Sequence, residues 1–309
     1  MEASVVNDYP GIGSTPFRVP LDFASLRIWR EVRREVRRVL NGDPAPVIVY
    51  QMGRVGSTAL VVALQQSSIN RPVLHVHFLS PNGVRFLYRL YVAAYGSWRS
   101  VPENHKRHVL RSHAIGKYLN RARRYQVITL VRDPVATNIS GFFHNRRLWS
   151  TDGLDETGET PGTIQSLEER FLSEYPHSVP LQWFDHELYR VFEVDLFAGP
   201  FAREDGHQIC HGRRATVLAF KSERLSECVR EACRQFLDVS DVFVRNEYQP
   251  INAISTSLYE AFVHQAKMPA SYLRQMYESK LARHFYSESE RRAFCDRWRL
   301  PDEQPPASR

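Results

Sequence analysis

The segment Tyr50–Leu60, YQMGRVGSTAL, follows the short apolar run Val47-Ile48-Val49 and passes directly into an apolar helical pattern. A strand, a glycine-flanked turn and a helix in that order expose successive backbone N–H groups at a helix N-terminus, which suits an anion. Arg54 adds a charge that is not lost near neutral pH, and Ser57 and Thr58 add hydroxyl donors. Gly56 stands where a nucleoside triphosphatase would place its lysine, so the loop departs from the Walker pattern. A plain structural turn is the competing reading of the same residues.

Working outward, the same rhythm repeats. Strands are expected at Val47–Gln51, Val73–His77, His108–Arg111, Gln126–Val131 and Thr216–Lys221. Helices are expected at Thr58–Gln66, Val84–Ala94, Ile115–Arg121 and Val135–His144. Short β-rich runs alternating with helices predict an α/β fold, a parallel sheet with helices on both faces, and ligands at the carboxyl ends of the strands. The last third reads as helical. We expect a loose tail over residues 1–20, one domain over 21–302 and a short tail over 303–309. The acidic stretch Ser150–Thr163 reads as a surface loop, with a lid and a plain insertion as the alternatives.

Residues 21–41 open the domain with a helix whose Trp29, Val32, Val36, Val39 and Leu40 share one side. Arg27, Arg30, Arg33, Arg34, Arg37 and Arg38 cover much of the rest. Such a helix could meet an anionic membrane or a polyanionic chain, or merely face solvent.

Composition sets outer bounds. The 309 residues are 43% hydrophobic and 24% charged, with a net charge of +7, which favours acidic ligands. The four cysteines lack metal-type spacing, so neither zinc nor disulfides are expected. Neither a signal-peptide pattern nor an apolar run of membrane-spanning length is evident, and the expectation is a soluble, cytoplasmic protein.

Two further stretches carry candidate chemistry. In VITLVRDPVATNISGFF (Val127–Phe143) a strand ends at Arg132, Pro134 opens a helix, and Ser140 lies two turns along. Arg132 and Ser140 could grip a second anion, or Arg132 could simply pair with Asp133. In HVLRSHAIGKYL (His108–Leu119) the expected strand brings His113 to a strand end, where an imidazole could act as a base. His77, in VLHVHFL, is the reserve candidate.

Taken together, these three stretches resemble the sulfotransferases that use 3′-phosphoadenosine 5′-phosphosulfate (PAPS), whose fold is like that of the P-loop NTPases. The resemblance implies a three-layer fold and transfer of a sulfuryl group from PAPS to a hydroxyl or amine, without a metal. It implies that Arg54, Gly56, Ser57 and Thr58 hold the phosphosulfate and that Arg132 and Ser140 hold the 3′-phosphate. Arg54 would also be catalytic, and His113 would be the base. AFKSERL (Ala219–Leu225) looks like a later family strand, but Ser222 replaces the frequent tyrosine, which puts an aromatic contact to adenine in doubt. WFDHEL and HFYSESE are also similar to bacterial proteins labelled as capsular polysaccharide synthesis proteins. The first expectation for the acceptor is therefore a carbohydrate, then a lipid or small metabolite, held by loops within Phe78–Pro102 and Ser150–Pro180. Nucleic acid is not an expected partner. The alternatives are a P-loop kinase with a degenerate loop, using Asp133 for magnesium, and a non-catalytic polyanion-binding protein.

Overall fold

Val47–Tyr50 is wholly buried and pairs on both sides, so it forms an inner strand of the sheet. The computed structural model describes residues 19–20, 22–120, 122–144, 164–244 and 253–299. The expected tails and the Ser150–Thr163 loop therefore lie outside the described residues, apart from the few tail positions next to Asp22.

In chain order the elements are α1 (Phe23–Leu40), β1 (Val47–Tyr50), α2 (Ser57–Gln66), β2 (Val73–Val76), α3 (Pro81–Tyr95), α4 (Glu103–Tyr118), β3 (Tyr125–Val131), α5 (Pro134–His144), α6 (Ile164–Glu174) and α7 (Ser178–Trp183). They continue with β4 (His207–His211), β5 (Ala215–Lys221), α8 (Leu225–Leu237), α9 (Ala253–Gln265), α10 (Ala270–Tyr277), α11 (Lys280–Phe285) and α12 (Glu288–Trp298). The fold is α/β, with a five-stranded sheet in the order β2-β1-β3-β5-β4. All neighbours are parallel except β4, which runs antiparallel to β5 at one edge.

The chain divides into two compact units, a division the sequence reading did not draw. One comprises Met1–Val131 and Gln182–Asn246, the other Arg132–Leu181 and Glu247–Arg309. In the first, alternate β1 residues point to opposite faces of the sheet. Val47 and Val49 join Leu60 and Leu64 of α2, Ile128 and Leu130 of β3, Phe220 of β5 and Val229 and Phe236 of α8 in one core. Tyr50 packs edge-on against Trp183 and Phe192. In the second unit, Val135, Ile139 and Phe142 of α5 pack with Phe171 of α6, Phe262, Tyr272, Met276 and Trp298.

Four of the five expected strands stand, at β1, β2, β3 and β5. The fifth is corrected: His108–Arg111 is not a strand but the middle of α4, which also absorbs much of the separate helix expected at Ile115–Arg121. The apolar pair Val109-Leu110 is too short to distinguish the two periods. Lys106, Val109, Leu110, Ala114 and Ile115 are buried at helical spacing, which settles it. The edge strand β4 was not anticipated, because HQICH carries polar residues at most positions and is only half-buried.

Candidate functional site

β1 has β2 on one side and β3 on the other, so the chain reverses its direction of winding there. Crevices at such switch points, beyond the carboxyl ends of the strands, are where open α/β sheets bind ligands. Residues 51–56 leave β1 at that point. Arg54 has φ 74° and Gly56 has φ 86°, on either side of the buried Val55. Positive φ at alternate positions shapes the backbone into an anion-binding concavity. For arginine this region costs of order 1–3 kcal/mol, a strain that clusters at ligand sites. Gly56 is the residue immediately before α2 and is exposed; among the described residues a Cβ there would meet Ser222 Oγ, at 3.6 Å. The loop is tied down at Val55, because the Ser222 hydroxyl donates to the Val55 carbonyl. Ser222, expected only as a gap in an adenine contact, is therefore an anchor of the loop.

Ser57 is buried and Thr58 exposed at the start of α2. Ser57 Oγ lies 3.0 Å from His75 Nε2, which is also 3.0 Å from Gln51 Nε2. His77 Nδ1 lies 3.0 Å from the Gln51 carbonyl. Nδ1 is also 3.3 Å from Gln51 Nε2, a donor; the shorter contact, to a carbonyl that only accepts, favours the ring proton on Nδ1 and the lone pair on Nε2. A Cβ on Gly53 would touch His77 Cδ2 at 4.0 Å, so the ring edge bearing Nε2 lies beside the loop. Burial lowers the affinity of His77 for a second proton; the Gln51 carbonyl opposes this and Arg54 reinforces it. Burial, then His77 and Arg111, lowers the His75 value to about 3. Burial, then His77, His105, Arg111 and His75, does likewise for His108, also to about 3. His108 Nδ1 lies 3.0 Å from Tyr91 Oη. The loop is therefore bordered by neutral imidazoles. Gln51 Oε1 is buried there without a hydrogen-bond partner among the described residues.

Behind this border, Glu187 is fully buried in a π-helical turn at Phe184–Tyr189. Its carboxylate accepts from Tyr50 Oη, from Ser80 Oγ at 2.5 Å, and from the N–H groups of Leu79 and Ser80 at 2.8 and 2.9 Å. Burial pushes its pKa up and these donors pull it back. Gly83 is obligatory beside it, since a Cβ would fall 1.9 Å from Glu187 Oε1. The Trp183 indole donates to the His77 carbonyl at 2.8 Å. These contacts join the ends of β1 and β2 to the start of α3.

The strand-end position expected for His113 is not met. His113 sits on α4, its ring 5.5 Å from that of Trp29 on α1, and burial followed by Lys117 lowers its pKa. In the second unit, Arg132 follows β3 directly and is partly exposed, and Ser140 is buried on α5. Asp133 accepts from the Val135 N–H at 2.9 Å and Tyr277 Oη at 3.0 Å, which caps the start of α5. Burial raises its pKa against those hydrogen bonds.

The residues that sequence reasoning missed are Gln51, His75, Ser222 in its anchoring role, and Glu187. His75 could have been found, because residues two apart on a strand share a face and His77 was already a candidate. Among the described residues no group of three or more His, Cys, Asp or Glu is placed to hold a metal ion, and no helix is long and apolar enough to cross a membrane. Comparison with protein-family models, with curated proteins and with solved structures returns no match.

Proposed function

We propose that the chain is a PAPS-dependent sulfotransferase of P-loop-like fold, acting on a hydroxyl or amine acceptor, with a carbohydrate as the first candidate. The observation that carries this reading is the lysine-free loop Gly53–Gly56 at the sheet's switch point, bordered by the Nε2 edge of the His77 ring. The residues fit such a donor: a concave backbone with positive φ at Arg54 and Gly56, the Arg54 charge, and the hydroxyls of Ser57 and Thr58. When bound, PAPS supplies the sulfuryl group and leaves as the bisphosphate. Arg54 stabilises the negative charge that develops at the loop during transfer. His77 Nε2 takes the acceptor's proton, with Nδ1–H held by the Gln51 carbonyl so that the ring keeps one tautomer. The base is thus reassigned from His113 to His77. Arg132 and Ser140 are assigned the 3′-phosphate on the strength of the sequence resemblance.

Thermal shift against a nucleotide panel tests the reading. Adenosine 3′,5′-bisphosphate at 100 times its Kd should stabilise the protein by about 2.7 kcal/mol. AMP and ATP with Mg²⁺ should shift it much less. Arg132→Ala should remove roughly 1.5–3 kcal/mol of bisphosphate affinity and barely alter AMP binding. Equal shifts from AMP and the bisphosphate would remove the 3′-phosphate site from the proposal, and a preference for ATP with Mg²⁺ would replace the reading with that of a kinase.

A further inference from the structure

The helix α1 buries Ser25, Ile28, Val32, Val36 and Leu40, and the opposite side faces outward. Its Asp22 cap accepts from the Ser25 N–H at 2.7 Å and pairs with Lys106 at 3.5 Å, so the first turn is tied down. Phe23 is nevertheless 93% exposed and Leu26 36%. Phe23, Arg30, Arg34 and Arg37 follow at intervals of seven, four and three residues, which keeps them on one face. Leu26, Arg30, Arg33 and Arg37 form the adjoining row at intervals of four, three and four.

Among the described residues, the four arginines Arg30, Arg33, Arg34 and Arg37 line one surface groove. Arg30, Arg33 and Arg34 make no ion pair or hydrogen bond among the described residues, and Arg37 lies over the Tyr118 ring at 5.5 Å. The nearest acid is Glu31, three residues before Arg34; its hydrogen bond to Arg107, with Arg27 and Arg34 nearby, lowers its pKa. Glu31 pairs with Arg107 and Glu103 pairs with Arg27, at 2.8 and 2.9 Å. Glu35 lies about 100° round the helix from Arg34. Lys117 of α4, over the Trp29 ring at 6.0 Å, extends the positive margin.

We infer that this face docks on an anionic bilayer surface. The cluster of exposed arginines, offset only in part by Glu31, is complementary to a polyanionic partner. The apolar pair at the helix start selects a bilayer over a soluble polymer, since only the bilayer offers an apolar phase beside the negative charge. The full chain would lie on the membrane through α1, with Phe23 and Leu26 entering the headgroup boundary and the arginines on lipid phosphates. This inference is independent of the transferase reading.

Co-sedimentation of the full chain with vesicles tests it, using phosphatidylcholine alone and phosphatidylcholine containing about one-third phosphatidylglycerol. Binding should require the anionic lipid and fall at high salt. Each arginine near the surface is worth about five-fold, so Arg30→Gln with Arg34→Gln should weaken binding about 25-fold. Phe23→Ala should weaken it about ten-fold. All three positions are exposed, so thermal melts should match the parent. Equal binding to neutral vesicles, or binding unchanged in the arginine variant, overturns the inference. Tight binding to a soluble sulfated polymer, with Phe23→Ala without effect on vesicles, overturns it in favour of a polymer site.

Discussion

His77 and His113 differ in what their rings touch. One has Nδ1 closest to the Gln51 carbonyl, which favours the proton there, and its other edge beside Gly53; the other packs on Trp29. Only the first leaves a lone pair beside the loop that would hold the reacting anion. In a sulfuryl-transfer assay His77→Ala should cut turnover by about 10²- to 10⁴-fold, the ordinary contribution of a general base. His113→Ala should leave turnover within a few-fold, because it removes only ring packing between α1 and α4. The His77 pKa is depressed by burial and by Arg54, so the ascending limb of the pH–rate profile should lie below the unperturbed value of about 6.5. A limb above 6.5, or full activity in His77→Ala, would assign the proton to another group.

At the scale of elements, the buried carboxylate of Glu187 holds together pieces that the backbone alone leaves separate. Tyr50 at the end of β1 and the N–H groups of Leu79 and Ser80, just before α3, meet on one side chain. Glu187→Gln keeps the shape but offers N–H₂ where one oxygen had accepted, so a buried donor loses its partner. We expect a loss of roughly 1–3 kcal/mol in urea unfolding, and a lower bisphosphate affinity as the β1 and β2 ends loosen. This element explains the limits of what the sequence disclosed. β1, α2, β2 and β3 were legible because apolar runs and local turns mark them within a few residues. The loop was legible because glycine, arginine and hydroxyls adjoin in sequence. The contacts of Glu187 and Ser222 were not, because their partners lie more than 100 positions away. α4 was misread for the opposite reason: the two-residue apolar pair Val109-Leu110 outweighed a sixteen-residue helical face.

Across the whole molecule, each compact unit keeps neutral imidazoles in its packed interior, and this makes stability depend on pH in one direction. His75 and His108 have values lowered to about 3 in the first unit, and burial lowers His177 to about 4 in the second. His177 shows why. Its Nε2–H donates to the Phe171 carbonyl at 2.8 Å, leaving Nδ1 to accept from Tyr272 Oη at 3.1 Å, and a second proton would destroy that acceptor. In the unfolded chain these groups protonate near 6.5, so between 6.5 and their folded values the unfolded state binds more protons. Stability is therefore complete above about pH 6.5 and declines as the pH falls toward 4 and then 3. Each such histidine contributes a slope of up to about 1.4 kcal/mol per pH unit. Urea unfolding at intervals between pH 7.5 and 5 should show this decline beginning above the carboxylate range. Replacing His177 by glutamine, which can donate and accept but does not titrate, should flatten the slope by about one histidine's share. An unchanged slope would mean that His177 is already charged in the folded protein, against the hydrogen bond that Tyr272 donates to it.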